Sequence, residues 1–251
     1  MNRFDPLKKA DEIRSVVVRD RQRKYYRVTR PGKWYGGIAT ADCCGCNLNC
    51  VFCWSNKPRD NPDKIGNFYS AEEVAASLIR CAQKYNYRYV RISGNEPTIC
   101  KEHLLSVLSI ISRTKLIFIL ETNGTLIDKD FIRELTPFSN LHIRISLKGT
   151  TPEEFAMLTG AIPESFNLIL DNLNNLVNAN LSFNLAVMLS FSPDKNVLLL
   201  KERLGRISRR IIADFEEEYV FLYPHVVKRL KENGIRPLIA YTPDGVPREL
   251  I

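Results

Sequence analysis

Apolar positions in this chain fall into two kinds of stretch that alternate from about residue 70 onward. Val74, Leu78, Ala82 and Tyr85 step by four and three, which predicts a helix, and Ser70-Ala71-Glu72-Glu73 opens it as a capping box. Residues 87–93 read as a strand. Leu104, Leu105, Leu108 and Ile111 predict a second helix over 103–112, and the unalternating apolar run 115–120 reads as a parallel strand covered on both faces. A short helix over 128–135 and a strand over 141–147 follow. After Pro163, Phe166, Ile169, Leu170, Leu173, Leu176 and Val177 form one apolar stripe; residues 181–189 are a fifth strand. Val197, Leu200, Leu204, Ile207 and Ile211 repeat the helical spacing, 218–223 is a weaker sixth strand, and a last helix over 226–231 stops at Asn233-Gly234.

Upstream the pattern differs. The β-branched run Val16, Val17, Val18 and the alternating Tyr26 and Val28 predict an extended pair of strands over 13–29, closed by a turn at Pro31-Gly32. Residues 34–40 read as the first barrel strand, thinned at Gly36 and Gly37, and 58–66, rich in Asn, Asp and Pro, as a loop. Six rounds of strand and helix imply an α/β fold with parallel strands and right-handed crossovers. The periodicity allows a partial barrel or an open doubly wound sheet. At 251 residues and 45% hydrophobic content the chain suits one large core, read here as an extension over 1–35 and a single α/β unit over 36–251.

Charge changes this picture at one place. Of the net +8, residues 1–35 carry +7, from eleven Lys/Arg against four Asp/Glu, so the α/β unit is nearly neutral. With Tyr25, Tyr26 and Trp34 among them, these cations suit a phosphate backbone or an acidic protein. A solvated extension packed over one barrel end by the aromatics is the favoured expectation, and an RNA contact the lesser one. No apolar run of eighteen residues and no charged-then-apolar leader is seen, so neither a membrane span nor a signal peptide is expected, and the cytoplasm is. In such a compartment seven cysteines are metal ligands or free thiols rather than disulfides.

The strongest chemical signal is Cys46-Asn47-Leu48-Asn49-Cys50-Val51-Phe52-Cys53. Three thiolates at this spacing can converge on an iron-sulfur cluster, one short of the four ligands that a cubane takes, and the open iron could then chelate a small molecule. With Cys43 added, the set Cys43, Cys46, Cys50 and Cys53 would instead suit zinc or a closed electron-transfer cluster. Cys81 and Cys100 stand alone and read as buried apolar residues, and His103, His142 and Met188 as structural.

The Cys-x3-Cys-x2-Cys loop, with an aromatic before its last cysteine, resembles the signature of the radical S-adenosylmethionine (SAM) superfamily. That resemblance implies a partial (β/α)6 barrel and a [4Fe-4S] cluster whose open iron binds SAM. The reduced cluster would cleave SAM to a 5′-deoxyadenosyl radical that abstracts hydrogen, with the electron coming from a flavodoxin or ferredoxin. Phe52 resembles the aromatic that meets the adenine. Ser93-Gly94-Asn95-Glu96-Pro97 resembles the Gly-Gly-Glu-Pro segment that holds SAM's amino group through backbone and glutamate contacts, with Asn95 where a second glycine is usual, and the resemblance implies that the Glu96 carboxylate accepts hydrogen bonds from SAM's ammonium. Glu121-Thr122-Asn123-Gly124 resembles the Asp-Thr-Asn-Gly segment of glycyl-radical activating enzymes, and Ser146-Leu147-Lys148 stands where those carry Asp-Leu-Lys. Leu158-Thr159-Gly160 also fits that branch. By this resemblance Gly94, Asn95, Glu96, Glu121, Thr122, Asn123, Ser146 and Lys148 surround SAM, Lys148 facing its carboxylate or the substrate. The implied activity is activation of a protein partner, with modification of RNA or a small molecule as the rival and a non-enzymatic zinc or nucleic-acid module outside both.

Overall fold

The structure, a computed structural model, describes residues 3–245, so the first two positions of the expected extension and the last six of the expected α/β unit lie outside it. The chain opens with helix α1 (Pro6–Val17), a two-residue strand β1 (Val18–Arg19) and the long strand β2 (Gln22–Gly32). Helix α1 departs from the extended reading. Asp5 caps it by accepting from the Leu7 amide at 2.8 Å, Pro6 fits its first turn, and Ala10 and Val17 are buried. The valine run that suggested strands is split, Val17 ending the helix and Val18 turning extended. Strand β2 also runs through Pro31 and Gly32 instead of turning there.

A 3-10 turn at Trp34–Gly36 delays the first parallel strand, β3, to Ile38–Cys43. Gly37 takes φ +132°, and a side chain there would meet the Tyr87 ring at 2.4 Å, so glycine is required. Beyond the cysteine loop come α2 (Asn56–Asp60), where a loop was expected, β4 (Asn67–Tyr69) and α3 (Ala71–Tyr85), whose capping box is formed in both directions. The alternation then continues with β5 (Tyr89–Ser93), α4 (Lys101–Ile111), β6 (Ile117–Thr122), α5 (Lys129–Leu135) and β7 (Leu141–Leu147). After β7 stand α6 (Pro152–Thr159), which the periodicity did not announce, α7 (Glu164–Asn178), β8 (Phe183–Met188), α8 (Asp194–Ile207) and α9 (Arg209–Ala213). The sixth parallel strand, β9 (Phe215–Glu218), lies earlier than expected. The next residues form β10 (Val220–Phe221), which pairs after helix α10 (Pro224–Glu232) with β11 (Ala240–Tyr241) in a separate parallel ribbon.

Strands β3, β5, β6, β7, β8 and β9 are parallel neighbours in chain order, β2 extends the sheet antiparallel beyond β3, and β1 and β4 add to β2. This is the α/β partial barrel with six parallel strands. The alternation of side chains gives the sheet two unlike faces. Ala39, Ala41, Val90, Ile92, Phe118, Leu120, Ile143, Ile145, Leu185 and Val187 point outward into the apolar core beneath the helices. The intervening positions carry Thr40, Asp42, Arg91, Ser93, Glu121, Arg144, Ser146, Glu216 and Glu218. Among the described residues no helix is long and apolar enough to cross a membrane.

Candidate functional site at the cysteine loop

The cysteine loop leaves the carboxyl end of β3, where groups in a parallel barrel gather for chemistry. Its shoulders are pinned by contacts within the polypeptide. Gly45, at φ +80°, lies so close to α1 that a side chain would meet Ile13 at 2.6 Å, and its amide donates to the Pro58 carbonyl at 3.1 Å and to Asn95 Oδ1 at 2.9 Å. On the far shoulder the Asn95 side-chain amide donates to Ser55 Oγ at 2.9 Å, and Ser55 donates to the Gly94 carbonyl at 2.6 Å. Asn95, which stands where the family motif has glycine, thus staples both ends of the loop to the end of β5. The amides of Asn49 and Val51 donate to the carbonyls of Thr159 and Leu158 at 2.9 Å, which gives the Leu158-Thr159-Gly160 segment its place.

The loop thiols sit among amide donors and cations. Cys46 Sγ accepts from the Leu48 amide at 3.4 Å and lies 3.9 Å from the Asn123 side-chain amide. Burial pushes the Cys46 thiol well up, and the neighbouring Glu96, Cys50 and Cys53 push the same way. Burial also pushes Cys50 up to about 11, against the pull of Lys148 and Arg59. Buried thiols held near one another ionise reluctantly until a metal takes their protons' place. Among the described residues no three His, Cys, Asp or Glu side chains are set to hold a single metal ion. The sulfurs are gathered on one loop without being closed on a point. Cys43 lies in the apolar core on the outward face of β3, and Cys44 donates to the Ile65 carbonyl at 3.3 Å beside Val17 and Ile99, so both thiols are committed elsewhere. Three sulfurs, nearby N–H donors and flanking cations fit a cluster ligated by Cys46, Cys50 and Cys53.

The other predicted residues form a connected set. Glu96 is 1% exposed and its carboxylate is fully engaged: Oε1 accepts from the Thr98 amide at 3.2 Å, Thr98 Oγ1 at 2.6 Å and Thr122 Oγ1 at 2.8 Å, and Oε2 from the Asn123 amide at 2.8 Å. It braces the β5 turn against the β6 turn. Asn123 continues the brace by donating to Asn47 Oδ1 at 2.8 Å and accepting from Thr125. Glu121 is apart from this group, inside the barrel, with Arg91 Nη1 at 2.5 Å and Ser93 Oγ at 2.7 Å; burial opposes its ionisation, but the charges of Arg91 and Arg144 and the Ser93 hydrogen bond outweigh it and lower its pKa. Ser146 donates to Glu218 Oε2 at 2.5 Å, and Lys148 donates to Ser146 and lies 3.5 Å from Glu218, so this lysine stands between the barrel interior and Cys50. Phe52 packs its ring 5.6 Å from that of Phe191.

Several residues here were not anticipated. Arg91, Arg144, Glu216 and Glu218 form paired charges inside the barrel, with Arg144 reaching Glu216 at 2.5 Å and Glu218 at 2.8 Å. The signal for the two arginines was a lone charge in a largely apolar strand, as in Tyr-Val-Arg-Ile-Ser, whereas Glu216 and Glu218 lie in the acidic run Phe-Glu-Glu-Glu, which had none. Arg229 and His225 of α10 reach back to the loop carbonyls of Cys53 and Trp54, a contact spanning about 170 residues that no local pattern discloses. Arg59 donates to the Cys50 carbonyl at 2.6 Å. The basic extension is less free than its charge suggested. Arg23, 1% exposed, donates to the Cys44 carbonyl at 2.5 Å, Lys24 to the carbonyls of Pro62 and Asp63, and Arg27 and Arg30 pair with Asp42.

Comparison with known proteins agrees with this geometry. A probable GTP 3′,8-cyclase of Methanosarcina mazei is 27% identical over 179 residues, 70% of this chain and 52% of that protein, so the chain spans about half the length of this relative. Streptococcus suis SuiB bound to S-adenosylmethionine superposes with a TM-score of 0.51 at 18% identity, over 76% of this chain and 36% of SuiB, and SuiB has also been solved with its precursor peptide SuiA. TYW1 with a lysine-pyruvate adduct bound superposes at 0.51 and 16% identity, over 77% of this chain and 72% of that one. The family description "Radical SAM superfamily" matches residues 42–203, from the end of β3 into α8. With three cysteines on the loop after the first of six parallel strands, the chain belongs to the radical SAM superfamily, whose members use a [4Fe-4S] cluster and SAM.

Proposed function

We propose that this chain is a radical SAM enzyme that holds its cluster through Cys46, Cys50 and Cys53 and abstracts hydrogen from a small polar substrate lodged against the charged inner face of the sheet. The observation that carries this reading is the juxtaposition of the cysteine loop with the paired charges Arg91–Glu121 and Arg144–Glu218 inside the same barrel. When bound, the cluster and SAM supply a one-electron cleavage that leaves a 5′-deoxyadenosyl radical, the electron coming from a reductant such as a flavodoxin or ferredoxin. The chain's own contribution is position. Glu96, Asn95 and Asn123 hold the β5 and β6 turns against the loop, so that the backbone of Gly94 and Asn95 is the surface offered to SAM's amino group, while the Glu96 carboxylate keeps that surface in shape. Phe52 and Phe191 supply an apolar wall for the adenine. Lys148 and Ser146 present a cation and a hydroxyl between Cys50 and the interior, suited to an anionic group of SAM or substrate.

The finer reading, activation of a protein partner, rested on Glu121–Gly124 and Ser146–Lys148. In this chain Glu121 is spent on an ion pair with Arg91 and Ser146 on a hydrogen bond to Glu218, and the relative from Methanosarcina mazei is named for a small-molecule cyclisation. SuiB, solved with a peptide, keeps a peptide substrate as the second reading. The test is anaerobic iron content together with 5′-deoxyadenosine release from SAM under dithionite. Cys46→Ala, Cys50→Ala and Cys53→Ala should each lose both, while Cys43→Ala and Cys44→Ala should keep the iron. Loss of iron in either of the latter variants would point to a closed four-ligand site and overturn the reading.

A further inference from the structure

A cavity of about 540 Å³ opens between the starts of β3 and β5 and the segment that follows β9, and none of the three loop cysteines lines it. Its wall is aromatic: Trp34, Tyr85, Tyr87, Phe221 and Tyr223. Tyr85 and Tyr87 are stacked at 5.5 Å and 20°, while Trp34 is 36% exposed with no aromatic partner among the described residues. A second groove of about 350 Å³ shares Arg30, Pro31 and Tyr85 with the first and adds Arg80 and Lys84 from the exposed side of α3. Lys33 completes the cationic rim, and among the described residues no carboxylate lines either hollow.

Flat rings on one side and unopposed cations on the other select a ligand with an aromatic ring joined to a negative charge. We propose that this double hollow binds a nucleoside phosphate, its base against Trp34 and Tyr85 and its phosphate against Arg80 and Lys84. The first hollow is of ordinary size for a small ligand. Arg30 marks the boundary with the barrel interior, because its guanidinium is turned onto Asp42 at 2.7 Å. The site is separate from the SAM pocket proposed above and goes beyond that reading, since it needs neither the cluster nor SAM.

The sequence holds two tryptophans, so Trp54→Phe leaves Trp34 as the single fluorescent reporter. Anaerobically prepared, cluster-bearing protein carrying that change should show a saturable fluorescence change with guanosine 5′-monophosphate, a weaker response to guanosine, and no competition from saturating SAM. Adding Arg80→Ala and Lys84→Ala, both at exposed helical positions, should weaken the nucleotide by about tenfold or more, with SAM binding retained as the check on folding. No saturable change, equal affinity in the double variant, or displacement by SAM would each overturn the proposal. Binding of a single-stranded oligoribonucleotide without binding of the monophosphate would overturn it too, making the hollow a strand-binding surface. None of these outcomes alters iron content or 5′-deoxyadenosine release, so this proposal and the proposed enzymatic function fail separately.

Discussion

The two faces of the parallel sheet, built by the same strands, are held together by opposite means. On β7 the neighbours Ile143 and Arg144 show the contrast. Ile143 is fully buried among helix-facing apolar residues, whereas Arg144, turned the other way, is fixed by charges on β9. Burial of apolar surface stabilises the outer face without regard to direction. The inner face gains little net stability from its ion pairs, because desolvation offsets much of their attraction. What the inner face obtains is orientation, a set of donors and acceptors held at fixed places around a concave space. One face keeps the fold, and the other is kept ready for a ligand.

The sharpest break of this contrast is on the outer face. Ile143→Ala should cost about 2–5 kcal/mol in denaturant unfolding, because a cavity opens where the core cannot close. Next comes acid, which separates two buried groups by pH window. Burial lowers the His103 pKa to about 4 while its ring bridges Tyr25 OH at 2.9 Å and the Arg21 carbonyl at 3.2 Å. The unfolded chain takes up that proton first, so roughly 3 kcal/mol present above pH 6.5 should be lost as the pH falls toward 4. Glu218 is opposed by burial but held down to about 2 by Lys148 and Arg144, so its contribution should survive that window and fade only from about pH 4.5 downward. His103→Gln should flatten the upper step and leave the lower one, and melts at stepped pH would show it. The smallest effect is expected from Arg144→Met, which strands Glu216 and Glu218. Since those carboxylates are 44% and 20% exposed, the loss should be about 1–3 kcal/mol, and adding Glu218→Gln should recover part of it. A loss as large as that of Ile143→Ala would mean that the inner charges hold the fold after all.

Much of this was legible in the amino-acid sequence where a local rule governs. The Ser70 capping box needs only four residues, and the cysteine loop is readable because its spacing is fixed by a metal group. Strand β7 stands where its apolar pattern put it. Local rules failed where two signals competed. At Val16–Val18 the β preference of valine lost to the Asp5-Pro6 helix start and the burial of Ala10 and Val17. In β6, the run of Ile, Phe and Leu hid the fact that the next inward position, Glu121, opens the charged interior. The arginines of β5 and β7 were the available clue, since a strand covered by helices on both faces has no place for them. The α10 contacts to the Cys53 and Trp54 carbonyls depend on tertiary closure and leave no trace in the residues around them.

The staple made by Asn95 bears on the order in which the protein matures. Its one side chain ties Gly45 and Ser55 to the end of β5, and Glu96 and Asn123 tie that end to the next turn, so the receiving loop is held by contacts within the polypeptide. These contacts predict that the chain folds before iron and sulfide arrive, so protein prepared without iron should still unfold cooperatively in a thermal melt. Damage to the cluster by oxygen would then strip the cofactor while leaving the scaffold standing, and the empty protein could be recharged instead of degraded.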